Sequence, residues 1–446
     1  MTNTATYKTF KTNIAWMPEL PEHWKLSRVK NYFTFSNEVV GEDYSGFNVL
    51  SLSVNGVIIR DMESGKGKHS MSMDLYQIVH PKSIILCLFD MDVTPRIVGI
   101  CENLGIITSA YTTIVPKRNV CERFYYYFFL HQDYNKSLKA QGTGVRTTLT
   151  NTQFGAVKIP VPPYQEQLQI AHYLDEKSQK INHFIAKKQQ FIALLKEQRQ
   201  SVINTMVSGK LLVVNGQLIS PIKVKDSGIK WLGNIPEHWE VRRLANIGTF
   251  SKGGNISRAE LIEDENGIPA ILYGDIYTKY DIVASKIINR ISEETASNSV
   301  VIKKGELLFT GSGETKEDIG KCIVYNGDET VYAGGDVIIF KQEMFDSVFI
   351  SYSQNTSYAQ MQKLITAKGD IIVHTYSSKL KNVIMPYPPK EEQTQIVNYI
   401  KTETATIDSA IAKAEREIEL IKEYKEAMIA EAVMGKVNFN KTVKAQ

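Results

Sequence analysis

Long hydrophobic runs, cysteine pairs and tryptophan are all scarce in this chain of 446 residues. The longest apolar run, Phe124–Leu130, has seven residues, whereas a membrane-spanning helix needs about 20. The first residues lack the apolar core of a signal peptide, so we expect a cytoplasmic protein that does not associate with membranes. The four cysteines show no CxxC spacing, which predicts reduced thiols rather than a zinc or redox motif.

The motifs of a self-contained catalyst are also missing. No P-loop and no HExxH sequence occurs, so neither ATP hydrolysis nor a zinc hydrolase site is expected. Val161–Tyr164 is similar to the Asn/Asp-Pro-Pro-Tyr signature of adenine methyltransferases, but both it and Tyr387–Lys390 lack the polar first residue that this chemistry needs. Phe309–Gly313 is similar to a glycine turn for S-adenosylmethionine, yet a strand rather than a helix is predicted after it. We therefore expect no catalytic residue, no metal ligand and no bound cofactor in this chain.

The few tryptophans reveal an internal repeat. All four lie in two similar segments, Trp16–Trp24 and Trp231–Trp239, which are 215 residues apart. A second block, Pro162–Leu174, returns as Pro388–Ile400 after 226 residues, and each unit closes on a Gly-Lys pair. The chain is thus a tandem duplication, and the second unit contains 11 extra residues.

Each unit begins with alternating short apolar stretches and turns, which predict strands. We expect the first segment after Trp24 to be a strand, and the stretches around 345–366 and 122–138 to be helices. Further strands are predicted at 47–54, 84–89, 97–101, 111–115 and 157–160 in the first unit, and at 270–273, 306–310, 321–325 and 336–340 in the second. The interiors of the two units share this layout but almost no sequence.

Each unit ends in a stretch of about 42 residues without proline or glycine, where apolar residues recur every seven positions. This spacing predicts two long helices that pair as a coiled coil. Their opposite net charges, +3 over 165–210 and −3 over 390–436, favour pairing within one chain. Ile170, Phe184 and Phe191 are assigned to a second seam. The predicted first seam comprises Leu174, Ile181, Leu195, Val202, Ile400, Ile407, Ala414, Ile421 and Met428.

The doubled order of these motifs resembles the DNA-specificity subunit of a Type I restriction–modification enzyme. Trp231–Trp239 matches the Trp-x-Gly-x-Ile-Pro-x-x-Trp opening, whereas the first copy departs from it at Pro18 and Leu20. Glu166-Gln167 and Glu392-Gln393 carry the closing Pro-Pro-x-x-Glu-Gln-x-x-Ile motif. The resemblance covers essentially the whole chain.

The resemblance implies an α+β fold with an internal pseudo-twofold repeat. Two α+β target-recognition domains would be separated by two long helices that form an antiparallel coiled coil. Its expected segments are a repeat frame at 1–24, the first recognition domain at 25–161, the first spacer helix at 162–212, a linker and frame at 213–239, the second recognition domain at 240–387, the second spacer helix at 388–437 and a tail at 438–446.

The resemblance also implies a non-catalytic subunit that binds double-stranded DNA, with one domain for each half of a bipartite target. It would dock two methyltransferase subunits and, through them, nuclease/translocase subunits. S-adenosylmethionine, ATP and Mg²⁺ would belong to those partners. Two alternatives remain open at this point: a self-contained DNA adenine methyltransferase or nuclease, and a purely structural scaffold.

Reading base edges requires polar side chains on exposed loops. Residues 25–163 hold 15 basic and 11 acidic residues, but residues 240–389 hold 16 and 19, so the second domain needs a local basic face or help from partners. The candidate DNA contacts of the first unit are Lys66, Lys68, His69, Arg96, Gln141, Thr143, Arg146, Thr147 and Thr148. Those of the second are Lys252, Asn255, Arg258, Ser312, Thr315, Lys316, Lys368, His374, Ser377 and Lys379.

Overall fold

The computed structural model describes residues 7–62, 72–142, 147–214, 216–369 and 372–439. They form two compact units, unit 1 (residues 1–188 and 416–446) and unit 2 (residues 189–415). Both units mix helices and strands, so the α+β fold class is confirmed. None of the helices in these ranges is long and apolar enough to cross a membrane.

Unit 1 is built from short strands and from two long helical stretches. Its helices are α1 (Val29–Tyr32), α2 (Glu122–Tyr134), α3 (Asn151–Ala156), the first part of α4 (Tyr164–Val207) and the last part of α10 (Lys390–Val433). Its strands are β1 (Thr9–Lys11), β2 (Glu19–Pro21), β3 (Lys25–Arg28), β4 (Phe33–Ser36), β5 (Leu50–Ser53), β6 (Gly56–Ile59), β7 (Gln77–Val79), β8 (Ile84–Leu86), β9 (Val98–Ile100), β10 (Gly105–Ile107), β11 (Thr112–Pro116) and β12 (Lys158–Val161).

Unit 2 has the same plan with additional elements. Its helices are the last part of α4, α5 (Tyr273–Thr278), α6 (Glu293–Ser297), α7 (Ser347–Gln354), α8 (Ser357–Thr366), α9 (Ser377–Leu380) and the first part of α10. Its strands are β13 (Leu212–Val214), β14 (Gln217–Ile219), β15 (Val224–Asp226), β16 (Asn234–Pro236), β17 (Glu240–Arg243), β18 (Thr249–Lys252), β19 (Leu261–Ile262), β20 (Ile268–Ile271), β21 (Val283–Ala284), β22 (Arg290–Ile291), β23 (Val300–Ile302), β24 (Leu307–Thr310), β25 (Ser312–Gly313), β26 (Cys322–Tyr325), β27 (Val331–Ala333), β28 (Val337–Lys341), β29 (Val373–His374) and β30 (Ile384–Tyr387).

The central sheets of the two units have the same strand order and register. In unit 1 the order is β4-β11-β8-β9, and in unit 2 it is β18-β28-β24-β26, with β21 added at the edge. Ser36 pairs with Thr113, and the pair at the repeat offsets, Ser251 with Ile339, also lies side by side. The duplication seen in the frame segments therefore extends into the divergent interiors. Buried aliphatic and aromatic side chains of these strands form the core of each unit.

The two long helices pack against each other in antiparallel directions, as the coiled-coil prediction requires. In unit 1, Lys425 Nζ donates to Asn182 Oδ1 at 2.8 Å, and Lys188 Nζ lies 2.5 Å from Glu417 Oε2. In unit 2, Arg199 Nε donates to Asp408 Oδ1 at 2.9 Å. The residue numbers on α10 fall as those on α4 rise, so the two helices run in opposite directions. Two of the three contacts join an α4 cation to an α10 carboxylate.

The seam residues of each helix alternate at spacings of three and four. The residues of the predicted first seam are all buried or half-buried: Leu174, Ile181, Leu195, Val202, Ile400, Ile407, Ala414, Ile421 and Met428. Phe184 and Phe191, by contrast, are 40% and 45% exposed. The second seam instead passes through the residue after each of them, Ile185 and Ile192. The large aromatic rings therefore lie at the exposed side of the helix pair, and the smaller aliphatic side chains pack in the interface between the two helices.

Two other expectations require correction. The segment after Trp24 is not one strand, because helix α1 interrupts it between β3 and β4. The helix expected over 345–366 is broken into α7 and α8. Asn355 ends α7, and the hydroxyl of Thr356 accepts a hydrogen bond from the backbone N–H of Ala359, which caps α8.

Candidate nucleic-acid interface

The frame motifs connect each domain to its helix. In unit 2, Glu392 on α10 accepts hydrogen bonds from Trp239 Nε1 at 2.9 Å and from His238 Nε2 at 2.5 Å. In unit 1, Glu166 on α4 lies 2.8 Å from His23 Nε2 and accepts a hydrogen bond from the Tyr7 hydroxyl at 2.6 Å. The glutamate of the closing motif thus binds the histidine of the opening motif in both copies. Both histidines therefore take part in packing the frame.

Glycines at the helix ends complete this frame. Gly209 and Gly435 adopt φ of +72° and +70°, where glycine is favoured. A Cβ atom on Gly209 would lie 2.6 Å from Pro236, and one on Gly435 would lie 2.4 Å from Pro21. The end of α4 therefore packs closely on the second frame segment, and the end of α10 packs on the first.

Unit 2 contains a cleft of about 1150 Å³ at the edge of its central sheet. The structure brings four of the predicted DNA contacts into this cleft: Lys252, Asn255, Arg258 and Thr315. Lys252 ends β18, and the Ser257–Glu260 capping box holds the turn that carries Arg258. The remaining lining residues are Ile256, Ser257, Glu260, Leu261, Leu272, Tyr273, Gly274, Asp275, Tyr277, Thr278, Lys279, Asn289, Gly313, Glu314, Asp318, Gly334, Gly335 and Asp336.

The cleft of unit 2 is not a basic face. Three lysine or arginine residues line it, together with five aspartate or glutamate residues. Asp275 is fixed by Asn289 and by Lys279, whose Nζ lies 3.0 Å from its carboxylate. Burial raises the pKa of Tyr277 to about 12, so its hydroxyl stays protonated and bonds Thr310. Such a mixture of donors and acceptors suits base edges, because carboxylates accept from cytosine and cations bind guanine. It does not suit phosphate binding.

The other predicted contacts of unit 2 lie beside this cleft rather than inside it. Ser312 is 2% exposed, and its Oγ is hydrogen bonded to His374 Nδ1 at 2.9 Å. His374 also exchanges two backbone hydrogen bonds with Lys368. Lys316 is exposed, and Ser377 and Lys379 are half-buried on α9. The hydroxyl of Ser312 is thus occupied by an internal hydrogen bond, whereas Lys316 and Lys368 remain at the surface.

Unit 1 carries a smaller cleft of about 300 Å³. Among the predicted contacts Thr148 lines it, and none of the described lining residues is charged. The full lining is Ser36, Asn37, Val39, Leu75, Gln77, Leu88, Phe89, Ser109, Ala110, Tyr111, Thr112, Thr148, Leu149, Thr150 and Asn151. Amide and hydroxyl side chains dominate its polar part, which is the chemistry that reads adenine.

Two further predicted residues lie near this smaller cleft. Thr147 has φ of +40° and donates its hydroxyl to Asp92, which also binds Lys139. These hydrogen bonds, first that of Lys139 and then that of Thr147, lower the pKa of the Asp92 carboxyl. Gln141 is half-buried and donates to the carbonyl of Ser137 at 3.5 Å. The predicted contacts Lys66, Lys68, His69, Thr143 and Arg146 lie outside the described residues.

Arg96 departs from its predicted place on an open loop. Its guanidinium is 3.3 Å from the carboxylate of Asp133, which is 2% exposed, and it lies over the ring of Tyr134. Asp133 also accepts a hydrogen bond from the backbone N–H of Ile97. This geometry assigns Arg96 to the support of the unit 1 core, so we remove it from the candidate contacts.

The two clefts occupy equivalent positions in the duplicated fold. Lys252 of the unit 2 cleft corresponds to Asn37 of the unit 1 cleft at the offset of 215. Beside the clefts, the backbone N–H of Leu149 donates to Leu88, and that of Thr375 donates to Gly311 at the equivalent position. In chain order, the loops after the first and second strands and before the fourth strand of each four-stranded sheet core contribute to its cleft. The same edge of the sheet thus presents polar loops in both units.

Sequence reasoning missed several of the side chains in these clefts. They are Asn37 and Asn151 in unit 1, and Tyr273, Lys279 and Asn289 in unit 2. The repeat offset could have identified Asn37, because Lys252 was already a candidate. Tyr273 and Asn289 come from α5 and from the loop before β22, whose approach to β18 no sequence pattern indicates.

The segments that are similar to catalytic motifs have structural roles in the described ranges. No group of three or more His, Cys, Asp or Glu side chains is placed there to hold a metal ion. The two Pro-Pro pairs form the turns from β12 to α4 and from β30 to α10. Gln167 and Gln393 donate to Pro162 and Pro388 in these turns. The similarity to a methyltransferase signature is therefore explained by a structural turn.

Comparison with known proteins agrees with this architecture. The model of the family described as Type I restriction modification DNA specificity domain matches residues 105–193 and 236–420. That is more than half of the chain, which therefore belongs to this family. The resemblance noted from the repeated motifs is thereby confirmed.

Individual relatives match over nearly the whole chain. The Type I restriction enzyme MjaVIII specificity subunit of Methanocaldococcus jannaschii is 23% identical and covers 94% of each chain. The Type I restriction enzyme EcoBI specificity subunit of Escherichia coli is 23% identical over 98% of this chain and 90% of its own. A solved structure from work on complex assembly and conformational transition of the type I R-M system shares the fold. Its TM-score is 0.66 at 14% identity, over 94% of this chain and 99% of that chain.

Proposed function

We propose that the chain is the specificity subunit of a Type I restriction–modification complex and reads a bipartite DNA sequence. The observation that carries this proposal is the pair of equivalent clefts on the same sheet edge of two duplicated units. Their linings differ, as expected if each reads a different half-site. In this proposal residues 25–161 and 240–387 are the target-recognition domains, and 162–212 and 388–437 are the spacer helices.

The candidate contacts divide by the base edge that each can read. Lys252 and Arg258 in unit 2 are cations suited to guanine, and Asn37 and Asn151 in unit 1 are amides suited to adenine. The surface cations Lys316 and Lys368 lie near the unit 2 cleft and would meet phosphate oxygens. Much of the phosphate charge would then be neutralised by partner subunits, since the unit 2 cleft itself is acidic.

The chain supplies recognition and leaves the chemistry to its partners. In this proposal it binds double-stranded DNA and two methyltransferase subunits, and nuclease/translocase subunits join through them. S-adenosylmethionine, ATP and Mg²⁺ would be bound by those partners in the cytoplasm. The coiled-coil surface is the expected docking face, because its outer positions carry exposed Phe184, Leu420 and Tyr424.

An exchange of one recognition domain tests this function. Adenine methylation is mapped across DNA from cells that express the chain with its methyltransferase partner. Residues 25–161 are then replaced by the corresponding segment of a relative. One half of the methylated motif should change while the other half and the spacer stay the same. A change in both halves, or a motif without two parts, would contradict the proposal.

A further inference from the structure

A cluster of ionic and polar side chains joins the cleft of unit 2 to its helix pair. Arg199 lies at a seam position of α4, and its side chain is only 18% exposed. Its guanidinium contacts two carboxylates, Asp408 on α10 at 2.9 Å and Asp281 on the loop after α5. Lys321, a nearby cation, donates from its Nζ to the carbonyl of Tyr280 at 2.6 Å and lies close enough to Asp281 to interact with it electrostatically. One side chain thus connects both long helices to the globular part of unit 2.

The loop that Arg199 holds is a continuation of the cleft wall. Tyr273–Thr278 form α5, and this helix and the following Lys279 line the cleft. Asp281 comes two residues later, immediately before β21 pairs with β26 of the central sheet. A movement of Arg199 relative to the sheet would therefore pull on the cleft wall through a chain of only a few residues.

Neighbouring residues of α4 strengthen the same junction. Gln200 Nε2 donates to the carbonyl of Asn355 at 3.1 Å, and Asn204 Nδ2 donates to the hydroxyl of Ser357 at 3.0 Å. Both acceptors lie where α7 ends and α8 begins. The helix is thus fixed to unit 2 at two separate loops, which prevents rotation about a single contact.

The repeat provides an internal comparison. The positions equivalent to Arg199 and Asp408 are Lys425 and Asn182 in unit 1, and these also form a hydrogen bond, at 2.8 Å. Lys425 is however close to another cation, Arg96, and burial and then that cation lower its pKa. The polar residues Gln200 and Asn204 are replaced at this offset by Glu426 and Ala430. The ionic connection from helix to cleft wall is therefore a feature of unit 2.

We propose that Arg199 is a positioning residue that fixes the orientation of the unit 2 DNA cleft on the helix pair and thereby restricts the length of spacer that the complex accepts. The inference rests on the proposed bipartite reading of DNA. Arg199 is not assigned to base reading, because its side chain is only 18% exposed and its guanidinium is held by Asp281 and Asp408. Its loss should widen the range of accepted spacers and leave the half-site sequences unchanged.

The test uses the full chain assembled with its methyltransferase partner. Methylation is measured on duplexes with constant half-sites and with spacers that are one base pair shorter than, equal to, or one base pair longer than the preferred length. Arg199→Met and Asp281→Asn should each raise the ratio of altered-spacer to preferred-spacer methylation about threefold or more, because each substitution removes the same ion pair between α4 and the cleft wall. Arg199→Lys, which retains the charge, should give a smaller change.

A matched control comes from the exposed ion pair of Lys304 and Asp328, 2.7 Å apart, which lies outside the cleft lining. Asp328→Asn removes the same charge from the same unit and should leave the ratio unchanged. An unchanged ratio in folded Arg199→Met and Asp281→Asn proteins would overturn the inference, and so would a change with only one of them. A wild-type complex without any spacer preference would refute the proposed function and this inference with it.

Discussion

The DNA spacer, which is the number of base pairs between the two half-sites, should lengthen when both long helices are extended at positions that face each other. Arg199 faces Asp408 across the antiparallel pair, so Lys196 on α4 lies near the level of Ile411 on α10. Four residues inserted after Lys196 and four after Ala410 would extend the two helices together. The seam alternates at spacings of three and four, so a four-residue insertion adds one spacing of four. Coiled coils accommodate such an insertion by local unwinding.

The expected change follows from helix geometry. Four residues add about 6 Å at ~1.5 Å each. Base pairs are stacked at ~3.4 Å in B-DNA, so the spacer should lengthen by about one to two base pairs. The half-site sequences should stay the same, because neither cleft is altered. The uninterrupted helices of 44 residues are each about 66 Å long, which sets the scale of the spacer.

The assay is methylation of a duplex library in which only the spacer length varies. The control carries four extra residues in the exposed turn around Asn266, which should not alter the spacer. A doubly inserted chain that folds, assembles and methylates at the original spacer would refute the idea that the helices act as a ruler.

Three further predictions concern stability. Gly209→Ala and Gly435→Ala should each lower the free energy of unfolding by roughly 2–5 kcal/mol, because the new Cβ strains the backbone and overlaps with Pro236 or Pro21. Gly228→Ala, where φ is +72° but the surrounding space is open, should lower it by about 1–2 kcal/mol. Equal urea midpoints for the three variants would contradict the close packing. Burial lowers the pKa of Lys363 from 10.5 to about 8, so between these values the unfolded chain binds more protons at this side chain, and Lys363 by itself should contribute a rise in stability of about 3 kcal/mol from pH 8 to pH 10.5. Lys363→Met should lose this rise, and parallel pH profiles of the two proteins would count against it. Arg96→Met should lower stability by about 2 kcal/mol or more and leave the DNA affinity of the folded protein unchanged, and weaker DNA binding with normal stability would restore Arg96 as a contact.

The parts of the fold that could be predicted from the sequence are those with a strict period or an exact repeat. The four tryptophans located the frame, and the seven-residue spacing located both long helices. The offset from Ser251 back to Ser36 even gives the register of the central sheet. Such patterns can be recognised in the sequence because the same contact recurs many times along one helix or in both units.

Features that depend on a single tertiary contact could not be predicted. The second seam was assigned to Phe184 and Phe191, whereas the residues that follow them, Ile185 and Ile192, face the partner helix. When two neighbouring residues are both apolar, the sequence does not show which of them faces the partner helix. Arg96 was assigned to an open loop because nothing in the sequence indicates that Asp133 lies beneath it. The lining of the unit 2 cleft combines loops far apart in sequence, from Lys252 to Asp336, and only the folded sheet brings them together.

The central claim is that each cleft reads one half of a bipartite DNA target. The most direct measurement is the methylated motif produced by two variants of the assembled complex, Asn37→Ala with Asn151→Ala in unit 1, and Lys252→Ala with Arg258→Ala in unit 2. The account predicts that each pair relaxes the motif at positions within one half only, and that the two pairs affect opposite halves. Variants that fold and methylate with both halves of the motif intact, or that relax the same half, would contradict it.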